Sequence, residues 1–290
     1  MAATTKRFSY YQSRRAKMRI NQVVVTLLLL AGSLLFLSPL WWMFATSVKS
    51  MQEIMQYPPT WWPTQFHFEN YAKAWTTAPF TRFALNSLFV SAFVVVGSVL
   101  SNSLVAYGFA KMHFRGRNVL FAIVLGTMML PGFVTLVPQY ILFAKLGWLN
   151  TYLPLIIPPF TAGAFFIFLN RQFLLGIPNE LLEAAKIDGA SHFYIWSRLM
   201  LPLTKPVLAT TAIFSFNGSW NDVLGPLLYL NEESKYTIQL GLATFKGTVQ
   251  TQWHYLMAAS ILVLIPVVSL FFFFQKYFIE GMNLTSGTKG

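Results

Sequence analysis

Residues 180–190 read ELLEAAKIDGA, and the interpretation of the whole chain turns on them. The protein has only 9 acidic residues in 290, yet Glu180, Glu183 and Asp188 fall within this one run. Ala184 and Ala185 are strong helix formers, Ile177-Pro178 just ahead suits a helix start, and the two glutamates sit near the favourable positive pole of the helix dipole. Gly189 predicts the stop, because glycine takes the left-handed conformation that a tight reversal demands. Ser191 then caps a second short helix carrying Phe193, Ile195, Trp196 and Leu199, before Leu201 and Pro202 return the chain to its apolar surroundings.

Those surroundings are too greasy for a soluble domain. The chain is 55% hydrophobic and 10% charged with a mean hydropathy of +0.53, whereas a soluble fold of this size needs a largely polar surface. Charged residues delimit six long apolar stretches, at 20–48, 83–110, 118–144, 146–170, 206–231 and 247–275. Each exceeds the roughly 20 residues that a helix needs to cross ~30 Å of hydrocarbon. The expected fold is therefore all-α and polytopic, with six transmembrane helices and both termini on one side. Its divisions are a basic N-terminal arm at 1–19, a membrane domain at 20–280 with the ELLEAAKIDGA loop at 178–202, and a tail at 281–290.

The net charge of +12 invites a nucleic-acid reading, but the basic residues are asymmetric about the membrane. Of the 21 Lys and Arg, 15 lie in the N-terminal arm, the loops after spans two and four, and the tail. The positive-inside rule places those segments, and with them both termini and residues 178–202, in the cytoplasm. That accounts for the charge without nucleic acid. The arm resembles a signal peptide only in its charge, since no small-residue cleavage site closes the first span. Trp41 and Trp42 sit at headgroup depth, and the long external loop at 50–81 carries a Pro-Trp-rich run and a short helix near 68–75.

Within the spans, Leu130-Pro131-Gly132, Pro138, Pro158-Pro159 and Gly163 predict breaks or kinks, either lining a pathway or serving packing. Gly97 and Ser101 lie one turn apart and permit close helix approach. Span five is the most polar, with Asn217, Trp220, Asn221 and Asp222. These are the candidate pathway residues, and for Asp222 two readings stand: a wall of the pathway, or a structural acid near the outer interface. No cysteine is present, and His67, His113, His192 and His254 are scattered with no H-E-x-x-H, so neither a metal site nor an enzyme is expected. An ion-coupled secondary transporter would carry more membrane-embedded charge than Asp222.

The chemistry of residues 178–202 is mechanical rather than covalent. A helix faced with alanines can enter a groove closed to a bulky face, with a flanking carboxylate to pair with a base. An ordinary amphipathic surface hairpin fits the same residues. The spacing Glu183-Ala184-Ala185, three residues, Gly189, nine residues, Leu199, Met200, Leu201, Pro202 resembles the EAA motif of bacterial ABC importer permeases, with Leu199 in place of the usual Ile. Residues 129–159, 171–191, 218–228 and 280–290 are similar to the carbohydrate branch, in particular to the second permease of maltose-type systems.

The resemblance implies a permease in the bacterial inner membrane, paired with a second, related permease. Two ATPase subunits would hold ATP and Mg, and an extracytoplasmic binding protein would deliver a di- or oligosaccharide, with a polyol or glycerol phosphate as the alternative. It implies that Glu183 pairs with an ATPase arginine, that Ala184 and Ala185 enter the ATPase cleft, and that Asp188, Gly189, Leu201 and Pro202 shape the loop. It extends to Ser286, Gly287, Lys289 and Gly290 as a tail reaching the ATPases. The chain itself has no G-x4-G-K-[S/T] phosphate loop, so the energy comes from a partner.

Overall fold

The computed structural model describes residues 2–247 and 251–286, with side chains for 18–19, 21–247 and 251–275. The described residues form helices and no strand, apart from an isolated bridge between Lys246 and Thr251. The principal helices are α1 (Ala2–Ser47), α2 (Phe80–Lys111), α3 (Arg117–Thr127), α4 (Gly132–Lys145), α5 (Ala164–Leu175), α6 (Glu180–Ile187), α7 (Lys205–Trp220), α8 (Leu224–Tyr229), α9 (Ile238–Ala243) and α10 (Trp253–Ser286).

Among the described residues, four helical stretches are long and apolar enough to cross a bilayer: Asn21–Ser47, Phe80–Lys111, Leu153–Leu175 and Trp253–Gln275. The count reaches six if each of two bent pairs is one span. In the first pair α3 and α4 meet at 93°, where Leu130-Pro131-Gly132 interrupts the ladder and Pro131 precedes α4 in extended backbone. The second pair, His192–Leu203 with α7, bends by 83°. Here the expected straight span at 206–231 gives way to a shorter α7, a break at 221–223 and the separate α8.

The chain divides into two compact units: residues up to Lys73 with Gln252–Ile261, and Ala74–Thr251 with the chain from Leu262 onward. In the first, the loop after α1 is folded. Buried Asn70 donates to the carbonyls of Ser47 (2.9 Å) and Lys49 (3.0 Å). Glu53 accepts from Thr60 Oγ1 at 3.0 Å and Thr64 N at 2.9 Å. Trp41 meets Trp62 and Trp42 meets Trp61, with ring centroids 4.7 and 5.3 Å apart. Burial pushes the Glu53 carboxyl up, but the hydrogen bonds from Thr64 and Thr60 and the nearby Lys49 charge outweigh it and hold the pKa below the ordinary glutamate value.

In the second unit α2 is the central element. It packs along α7, α5 and the turn at Pro158–Thr161. Gly97 faces this turn so closely that a Cβ there would stand 2.4 Å from the Phe160 ring. Ser101 Oγ donates to the Pro159 carbonyl at 3.0 Å, satisfying a backbone group at a proline break.

Candidate functional site

The first site is the element at residues 178–203. α6 ends in a Schellman turn: Ala190 N donates to Ala185 O at 3.0 Å, Gly189 N donates to Lys186 O at 3.0 Å, and Gly189 has φ +82°. Ser191 accepts from Tyr194 N at 3.2 Å and starts the second helix, whose middle, Ile195–Met200, is wound as a π-helix. The two-helix pattern read from the sequence is present. The faces differ from the expectation. Leu182, 5% exposed, is buried with Ala106, Tyr107, Ala110, Leu174, Ile195, Trp196 and Met200, and Ala185 packs against the same cluster. Of the two alanines, Ala184 is exposed and Ala185 half-buried, and Glu183, Asp188 and Gly189 are exposed as well. The outward apolar residues are instead Leu181 and Ile187, the latter 86% exposed, with Phe193 and Tyr194 on the next helix. The reason is the 100° step of the helix: Leu182 and Ala185, three apart, share the inner face, and Ala184 does not. Leu201 is half-buried and Pro202 exposed.

The element is fastened by residues that sequence reasoning missed. Lys111, 3% exposed at the last residue of α2, donates to Ile177 O at 2.6 Å and Asn179 Oδ1 at 2.7 Å. The Tyr107 hydroxyl, one turn earlier, lies 2.9 Å from His192 Nδ1. The only sequence signal was a lysine at the end of an apolar run, which reads equally as an inside-facing charge. The tail residues Ser286, Gly287, Lys289 and Gly290 lie outside the described side chains.

The second site is a cavity of about 370 Å³ within the second unit, bordered by Ser98, Asn102, Phe166, Gly218 and Asp222 among others. Its polar wall is cross-linked: Ser215 Oγ donates to Ser98 Oγ (2.8 Å), and Asn102 donates to Ser98 O (2.6 Å) and accepts from Gly163 N (2.7 Å). Asp222 borders the cavity and accepts from Gly225 N at 3.1 Å, in the first turn of α8. Trp220 is not among the residues bordering the cavity. It is 3% exposed, stacked on Phe216, and its Nε1 donates to Val263 O at 3.2 Å. An indole at the turn nearest α10 is more stable buried with its N–H satisfied. Asn217 and Asn221 are exposed and joined by a hydrogen bond between their side chains.

Comparison with known proteins bears on the family and the fold. Residues 94–283 match the family described as binding-protein-dependent transport system inner membrane component. The arabinooligosaccharides transport system permease protein AraQ of Halalkalibacterium halodurans is 40% identical over 205 residues, covering 71% of this chain and 73% of that protein. The probable ABC transporter permease YurM of Bacillus subtilis is 33% identical over 92% of this chain and 89% of its own length. The sn-glycerol-3-phosphate permease UgpE of Yersinia enterocolitica is 34% identical over 88% and 93%. A chain from the crystal structure of a bacterial ABC transporter that imports the acidic polysaccharide alginate superposes with a TM-score of 0.79 at 26% identity, covering 90% of this chain and 97% of that one.

Proposed function

The chain belongs to the family of binding-protein-dependent transport system inner membrane components, and from that premise we propose that it forms, with a second and related permease, the translocation pathway of a carbohydrate importer. It is a multi-pass membrane protein and a permease of an ABC importer. In the proposed assembly both termini and the α6 loop face the cytoplasm, two ATPase subunits hold ATP and Mg, and a solute-binding protein outside delivers the sugar.

The observation that carries this reading is the shape of α6. It is a short helix held on its inner side by a buried cluster and the Lys111 clamp, and bare on its outer side at Leu181, Ala184 and Ile187. Exposed apolar side chains on an otherwise anchored knob fit a hydrophobic groove on a partner. Glu183, exposed beside them, supplies a carboxylate for a basic residue of the ATPase. On this reading the cavity, which Asp222 borders, and the exposed Asn217 and Asn221 supply the pathway wall.

The chain has no native cysteine, so Ala184→Cys gives a single thiol. Cross-links from it should reach the ATPase subunit in the assembled complex and change in yield when ATP is bound. Cross-links that go only to other membrane subunits would sink the docking reading.

A further inference from the structure

Three amide side chains form a chain of hydrogen bonds that the pathway reading does not require. They do not themselves line the cavity but are adjacent in sequence to Gly218 and Asp222, which border it, and to Ile238 at the start of α9. Asn217 and Asn221 lie one turn apart at the end of α7, and Asn221 Nδ2 donates to the side chain of Asn217 and to its carbonyl at 3.1 Å. Gln239, on α9, reaches across and donates Nε2 to Asn221 Oδ1 at 2.9 Å. Asn217 and Asn221 are exposed and Gln239 is half-exposed. They stand roughly 18–24 Å along α7 from Lys205, at ~1.5 Å per residue. Amides at such a position are costly against hydrocarbon, where each unsatisfied group costs several kcal/mol. They therefore face water, cargo or protein.

The chain of bonds has a direction. Asn221 uses both its carbonyl and a donor inside it, which leaves the Asn217 NH2 group at one end and, at the other, the Gln239 carbonyl with the remaining N–H of its amide. A hydroxyl both donates and accepts, so neighbouring hydroxyls of a sugar can meet both ends. A phosphate or carboxylate only accepts, so it could use these N–H groups but would leave the Gln239 carbonyl without a donor. Asp222 lies next to Asn221 in sequence, and the cavity that Asp222 borders has no Lys, Arg or His among its described lining residues.

We propose that Asn217, Asn221 and Gln239 read the hydroxyls of a neutral saccharide in passage and disfavour anionic cargo, with Gln239 as a specificity residue. This rests on the pathway reading above.

The test is ATP-dependent uptake into proteoliposomes holding the complete importer and its binding protein, for a panel of neutral pentose and hexose di- and trisaccharides and for sn-glycerol 3-phosphate. The wild type should accumulate a neutral saccharide and exclude the phosphate. Gln239→Leu and Asn217→Leu should each lower that uptake about tenfold and be less than multiplicative together, while Gln239→Asn recovers part of it. Binding-protein-stimulated ATP hydrolysis and recovery of the second permease should stay within twofold. Uptake unchanged in Gln239→Leu overturns the proposal, as does accumulation of the phosphate in place of every neutral saccharide. Loss of the second permease from the purified Gln239→Leu complex also overturns it, by showing the amides to be subunit glue. Uptake by the wild type that needs no ATP is a different failure, and it would remove the parent reading instead.

Discussion

Gly189 gives the sharpest test of the α6 turn, because the cost of replacing it has one source. Its φ is +82°, and a Cβ built there meets nothing within 4 Å. A side chain at this position therefore causes no clash; it pays only the strain of the left-handed conformation, ~1–2 kcal/mol for an ordinary L-residue. Asparagine tolerates that region better than alanine, and a β-branched residue tolerates it worst. Coupled activity should fall in the order Gly, Asn, Ala, Val. A strain of 1–2 kcal/mol shifts the equilibrium between the closed turn and its alternatives by about 5- to 30-fold. The assay is ATP hydrolysis stimulated by the loaded binding protein in the reconstituted complex, normalised to the amount of permease inserted. Gly189→Asn should stay within about threefold of wild type if the turn is what matters, with Gly189→Val reduced well beyond that. A valine variant that hydrolyses at the wild-type rate, with the turn's geometry lost, would refute the idea that this reversal transmits force. So would equal loss in all three variants, since that would point to the surface rather than to φ.

Lys111→Met should leave Ile177 O and Asn179 Oδ1 without their charged donor, at about 1–3 kcal/mol each; thermal unfolding of the detergent complex should shift down, with Lys111→Arg intermediate. Asp222→Asn keeps an oxygen for Gly225 N and should preserve folding, whereas Asp222→Leu removes that acceptor and should cost ~1 kcal/mol in chemical denaturation. Gly225→Ala should destabilise more than loss of that bond alone, because its Cβ would stand 2.4 Å from Asp222 Oδ2 and 2.9 Å from Leu155 Cδ2; thermal unfolding reads this out. The folded pKa of Glu53 is depressed, so its contribution to the loop is complete above the unfolded value of ~4.3 and is lost as pH falls through the folded value. Fluorescence of Trp61 and Trp62 followed from pH 7 downward should show that transition, and Glu53→Gln should abolish it.

What the sequence disclosed, and what it withheld, follow from where each signal lives. The α6 loop was legible because caps and turns are local: Pro178, Gly189 and Ser191 act on neighbours within five residues, and the structure uses Gly189 and Ser191 as their chemistry suggests. The break at Leu130-Pro131-Gly132 was legible for the same reason, although its 93° angle was not, since packing rather than proline decides how far the ends swing. Long-range partners were invisible. Nothing local to Lys111 says that it will meet Asn179, 68 residues on, or that Gln239 will reach Asn221. The burial of Trp220 was invisible for the same reason, since the Val263 carbonyl it bonds lies 43 residues on in the chain.

These contacts converge on a single helix. At one end of α2, Lys111 and Tyr107 hold the α6 loop; midway, Asn102 and Ser98 build the cavity wall; further along, Ser91 bonds Ser219 at 3.1 Å, and Ser87 accepts from Ile238 N at 2.7 Å at the start of α9. At the far end Asn86 donates to the carbonyls of Ser234 and Tyr236, both at 3.0 Å. The helix is 32 residues long, roughly 48 Å at ~1.5 Å per residue, and it contains no proline. Polar ties at each level let this one helix, on the proposed reading, carry a displacement along its length. On the proposed reading, a displacement of α6 by the ATPases is delivered through Lys111 to α2 and from there to the cavity wall and to α9, which carries Gln239. Coupling would then require the clamp and not only the knob. Lys111→Met should accordingly uncouple ATP hydrolysis from uptake even under conditions where the complex stays assembled, and a Lys111→Met importer with the wild-type ratio of solute moved to ATP spent would show that force takes another route.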